Sequence, residues 1–141
     1  MYRILVIEDD RSIADAIATL LTAWDMNAHT ATNFRNILGE FSSFEPHLIL
    51  LDIRLPFYNG YHWCQEIRRV SKVPIIFISS AADSMNIVMA MNMGADDFIA
   101  KPFDMNVLTA CSFVVFGVMY AAVYKMTSNA YFAIVSNTQN S

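Results

Sequence analysis

Along residues 3–100 short apolar runs alternate with stripes of apolar residues at helical spacing, and these two periods divide the chain into elements. The runs Arg3–Ile7, Leu48–Leu51, Val73–Ile78 and Asp96–Ala100 predict strands, and the first three are apolar on successive residues, as central parallel strands covered on both faces are. Asn27 to Ala31 is a weaker run that suits an edge strand. Between them lie helical stripes: Ile13, Ile17, Leu20, Leu21 and Trp24; then Phe34, Ile37, Leu38 and Phe41; then Trp63, Ile67 and Val70; then Met85, Val88 and Met89. Asp10 stands where it can cap the first helix, Asn59-Gly60 marks a turn, and Gly94 is placed as a C-cap. Strands separated by helices at this rhythm predict a doubly wound parallel sheet with right-handed crossovers and helices on both faces.

The chemistry gathers where the strands end. Glu8 and Asp9 follow the first run, Asp52 the run of residues 48–51, Ser79 the next, and Lys101 the last. In an open α/β sheet the carboxyl ends of the strands form the ligand-binding edge. Taken singly, Asp52 reads equally well as the cap of a turn, since Asp is favoured there. Five such residues on one edge make chemistry the better reading. Three carboxylates brought together repel unless a divalent cation neutralises them, and an all-oxygen donor set suits Mg²⁺.

Composition narrows the class. At 141 residues the chain fits one domain, and its net charge of −4 argues against a nucleic-acid surface formed by these residues. Cys64 and Cys111 have no metal-type spacing and no signal peptide opens the chain, which suits a reducing, cytoplasmic setting. Arg68, Arg69 and Lys72 read as a solvated helix end, and His29, His47 and His62 as surface or packing residues rather than ligands.

With these residues in place, the sequence resembles the receiver domain of two-component response regulators over residues 2 to about 110. The resemblance is carried by the acidic pair Glu8-Asp9, by Asp52, by Pro56 four and Gly60 eight residues beyond it, and by Ser79 twenty-two residues before Lys101-Pro102. Ile7-Glu8-Asp9-Asp10 and Lys101-Pro102-Phe103 are most similar to the winged-helix, OmpR-type class. Phe57 to Trp63 resembles regulators that answer cell-envelope antibiotics such as bacitracin. The resemblance implies a flavodoxin-like five-stranded sheet in the order 2-1-3-4-5. It implies phosphorylation of Asp52 by a sensor histidine kinase, with Mg²⁺ held by Glu8, Asp9, Asp52 and the backbone carbonyl of Arg54. Lys101 and Ser79 would contact the phosphoryl oxygens, and Phe98 would be the switch aromatic, here without the hydroxyl of a tyrosine. It further implies a cis Lys101-Pro102 peptide bond, a homodimer, and DNA binding only through an effector domain outside these residues.

Two readings from other classes stand beside it. A haloacid-dehalogenase-type phosphatase also uses a nucleophilic Asp with Mg²⁺, but needs a second Asp where Arg54 stands. A flavodoxin-like mononucleotide binder needs a phosphate loop where Glu8-Asp9-Asp10 would repel phosphate.

Residues 111–141 depart from the pattern. Lys125 is the only charge in 105–141, and 13 of the 15 residues from Ala110 to Tyr124 are apolar with no polar face. A helix begins normally near Asp104, but the basic residue the family places ten positions after the lysine is Cys111, which leaves Asp97 without its expected partner across a dimer. The domain is therefore expected to end near 110. An atypical hydrophobic tail follows, read as a foreign segment from an altered frame ahead of a membrane span or a partner-binding tail.

Overall fold

A computed structural model describes residues 2–23, 25–80 and 84–100. Trp24, Lys101, the Lys101-Pro102 peptide, the helix start at Asp104 and the whole of 111–141 lie outside the described residues. Among the described residues nine elements alternate: β1 (Arg3–Ile7), α1 (Arg11–Ala23), β2 (Asn27–Thr30), α2 (Ile37–Phe44), β3 (Leu48–Asp52), α3 (Gly60–Arg68), β4 (Ile75–Ser79), α4 (Ser84–Asn92) and β5 (Asp97–Ala100). The five strands form one sheet in the order β2-β1-β3-β4-β5, parallel throughout, which is the flavodoxin-like doubly wound order.

Alternation along each strand supplies two apolar faces. Leu5, Ile7, Ile49, Leu51, Ile75 and Phe77 meet Ile37, Trp63, Cys64, Ile67 and Ala90 from α2, α3 and α4. On the other face Ile4, Val6, Leu48, Leu50, Ile76 and Ile78 meet Ile17 and Leu21 of α1. Burial on both faces explains why β1, β3 and β4 read as unbroken apolar runs, whereas β2, an edge strand, is only half buried and reads weakly. Asp10 caps α1 as expected, its Oδ1 accepting from the backbone N–H groups of Ser12 at 3.0 Å and Ile13 at 3.3 Å.

Three expectations need correction. Val70 is 69 % exposed because α3 stops at Arg68 and the chain tightens there, the Val70 N–H donating to the Ile67 carbonyl. The stripe proposed for α4 points the wrong way: Met85, Val88 and Met89 are exposed, and Ala90 is the buried residue. Apolar residues occur all round that helix, so spacing alone could not phase it. Arg68 is not a solvated helix end. Its Nε donates to the Gly94 carbonyl at 2.8 Å, another nitrogen to the Val73 carbonyl, and a third to Asp96 Oδ2 at 2.9 Å.

Gly94 closes α4 with φ of 101°, a left-handed conformation that a side chain would strain. Among the described residues no helix is long and apolar enough to cross a membrane.

Candidate functional site

Register brings the predicted residues together. Ile7 pairs with Leu51, so Glu8 and Asp52 leave neighbouring strands at the same level. Both fall on even positions, in phase with Val6 and Leu50, and so belong to one face of the sheet. Asp52 pairs with Ile78 and Ser79 with Ala100, which sets Ser79 and the residue before Lys101 side by side at the same edge.

The carboxylates of Glu8, Asp9 and Asp52 each offer an oxygen, and these oxygens lie within 4.8 Å of one another. Glu8 is 2 % and Asp52 4 % exposed, while Asp9 faces solvent. The Asp10 backbone N–H orients Glu8 by donating to its Oε1 at 3.2 Å. Charge buried in this way is costly without a counter-ion, and a small group of carboxylate oxygens open to water on one side fits a hard divalent cation.

The loop leaving β3 is folded tightly over Asp52. The Gly60 N–H donates to the Ile53 carbonyl at 2.7 Å, and a Cβ on Gly60 would lie 2.1 Å from the Asp52 carbonyl oxygen. Gly60 is thus needed for close approach. Asn59 then caps α3, its Oδ1 accepting from the His62 N–H at 3.0 Å.

On the outside of this loop Phe57, at φ 67°, carries the Arg35 guanidinium 4.0 Å above its ring. Tyr58 stacks on His62 with centroids 4.4 Å apart. Arg54 is exposed in the same loop, and Ser79 is buried at the end of β4. Phe98 packs partly buried against the core and stacks on Phe77 at 6.4 Å.

The remaining reactive groups lie elsewhere. His29 meets Glu40, His47 accepts from the Arg3 backbone N–H at 2.9 Å, and His62 stacks on Tyr58, so among the described residues no histidine joins a ligand set. Burial, with Arg3 beside it, lowers the His47 pKa. Burial pushes the Cys64 thiol up, which makes it a packing residue bonded to the Met93 carbonyl rather than a nucleophile. Sequence reasoning missed the Arg68 clamp and the bond from Tyr61 to Asn86, neither of which has a local signature.

A parallel sheet in this order with an acid cluster at its carboxyl edge defines a class, and comparison with known proteins identifies the family. The chain belongs to the response regulator receiver domain family, whose model matches residues 4–112. It is 44 % identical over 110 residues to the sensory transduction protein BceR of Halalkalibacterium halodurans, covering 78 % of this chain and 48 % of that protein. To the response regulator protein GraR of Staphylococcus aureus it is 40 % identical over 126 residues, 89 % of this chain and 54 % of that one. The chain thus spans about half the length of the curated relatives it matches. Among solved structures, the N-terminal domain of the nisin resistance regulator NsrR, a lantibiotic response regulator, superposes with a TM-score of 0.66 at 43 % identity, over 82 % of this chain and 98 % of that one.

Proposed function

We propose that Asp52 is the phosphoryl acceptor of this receiver domain and that Mg²⁺ is held by Glu8, Asp9, Asp52 and the Arg54 carbonyl. The observation that carries this reading is the position of Asp52, buried at the end of the central strand with two further carboxylates around it. An Asp52 carboxylate oxygen attacks the phosphorus of a phosphohistidine on a sensor kinase, the P–N bond breaks, and the imidazole leaves with its electron pair. When bound, the cation would neutralise the carboxylates and offset charge on the phosphoryl oxygens.

Lys101 supplies a second positive charge to those oxygens, and Ser79 donates a hydrogen bond to one of them. Phosphorylation adds about −1.5 to −2 charges at Asp52. Ser79 and Phe98 then rearrange, and the signal passes to a winged-helix effector domain that binds DNA. A second copy of the chain pairs with the modified domain in a cytoplasmic setting. The likeness to NsrR supports a role in resistance to peptide antibiotics such as lantibiotics.

Acetyl phosphate with Mg²⁺ tests the assignment. The chain should gain one phosphoryl group by intact mass when Mg²⁺ is present, gain none when Mg²⁺ is withheld, and gain none as Asp52→Asn. Labelling of Asp52→Asn at the rate of the parent chain would refute it.

A further inference from the structure

Helix α4 is held to the domain by little apolar contact. Among its described side chains only Ala90 is buried, while Met85 is 79 %, Val88 58 % and Met89 44 % exposed. An element with so few buried contacts is readily displaced. A directional bond links its first turn to the neighbouring helix: the Tyr61 hydroxyl donates to Asn86 Oδ1 at 3.0 Å and lies 3.4 Å from the Asn86 carbonyl oxygen.

The backbone end of that same residue sits at Asp52. Tyr61 follows Gly60, whose N–H is bonded to the Ile53 carbonyl and whose Cα has no room to move toward the Asp52 carbonyl. The Tyr61 ring packs on Phe77, with centroids 5.5 Å apart, two residues before Ser79 on the same strand. A single side chain therefore bridges the loop over Asp52, the strand that ends in Ser79, and the exposed helix α4.

Resting on the reading of Asp52 as phosphoryl acceptor, we propose that the Tyr61–Asn86 hydrogen bond is a latch that holds α4 in its unmodified position and opens when Asp52 is modified. Close packing between Gly60 and Asp52 means that a backbone shift at the acceptor carries the Tyr61 Cα with it. A hydrogen bond weakens steeply with distance and angle, whereas the apolar contacts of the ring can slide, so the bond is the part that breaks. If the bond is made in the unmodified arrangement and lost in the modified one, removing it destabilises the first and favours modification by the same factor.

The test uses the full chain with Mg²⁺ and beryllofluoride, comparing the parent with Tyr61→Phe, Asn86→Ala and the double variant. Each single variant should lower the beryllofluoride concentration at half-saturation by about three- to tenfold, the range of one ordinary net hydrogen bond. The double variant should do no more than either single one. Amide exchange in residues 84–92 should rise on beryllofluoride addition in the parent, and start raised and change little in the variants. A residue with a merely structural role would lower the melting temperature and leave half-saturation where it was. Half-saturation and the exchange response of both single variants equal to those of the parent overturn the latch while leaving the acceptor assignment intact. No response of the parent itself to beryllofluoride overturns the acceptor assignment, and the latch with it.

Discussion

Gly60 and Asp52 are in such close approach that a methyl group on the Gly60 α-carbon would lie 2.1 Å from the Asp52 carbonyl oxygen and 2.9 Å from its carbonyl carbon. The contact is backbone on backbone, so no side-chain rotation relieves it. Gly60→Ala is expected to force α3 away from β3 at Asp52. It should cost about 2–4 kcal/mol by denaturant titration, at the upper end of overpacking effects, and weaken Mg²⁺ binding in the same variant.

A cation held by the acid cluster would make metal binding and stability interdependent. Glu8 and Asp52 are buried within reach of Asp9, and the unfolded chain has no equivalent site. Millimolar Mg²⁺ should raise the melting temperature of the parent chain. Asp9→Asn, which removes one repelling charge, should raise the metal-free melting temperature and shrink the rise on adding metal. A parent chain that melts at the same temperature with and without Mg²⁺ would count against the cation site.

Arg68 joins the end of α3 to the loops before β4 and β5, and Asp96 completes the clamp by accepting from the Ile75 backbone N–H at 2.9 Å. Arg68→Ala removes the guanidinium donor from two carbonyls and one of two donors from the Asp96 carboxylate, and should cost about 1–3 kcal/mol. The Asp96 side chain is 38 % exposed, so solvent screens the ion pair and most of that loss comes from the carbonyl bonds. A double-mutant cycle with Asp96→Asn separates the two contributions, and a coupling larger than the loss from the carbonyl bonds would reverse this ranking.

Glu40 ties α2 to the edge strand. Burial works to raise its pKa, but the bond to His29 and the N–H groups of Asn33 and Thr32 outweigh it and hold the carboxyl below its ordinary 4.5. A depressed folded value means stability present above the unfolded pKa and lost as the pH falls through the folded one. The stability gap between the parent and Glu40→Gln should therefore close progressively as the pH falls below 4.5. Melting temperatures of the two proteins across that interval decide it, and a gap that stays constant into acid would disprove it.

What the sequence by itself determined was the part of the fold governed by short-range pattern. Continuous apolar runs identified β1, β3 and β4 because strands covered on both faces have no polar positions, and the acids that follow them marked the binding edge. Asp10 was legible as a cap because capping is local chemistry, whereas Asn59 was legible as part of a turn and its role as the cap of α3 came from the structure. Tertiary structure decided the rest. Which face of α4 turns inward depends on the small Ala90 meeting the sheet, and no count of apolar residues encodes that. Arg68 became a clamp because residues 94 and 96 fold back over the end of α3, and Tyr61 reached Asn86 across 25 positions of chain. Register between parallel strands, set only when the sheet assembles, placed Glu8 level with Asp52 and so made one acidic site from separate strand ends.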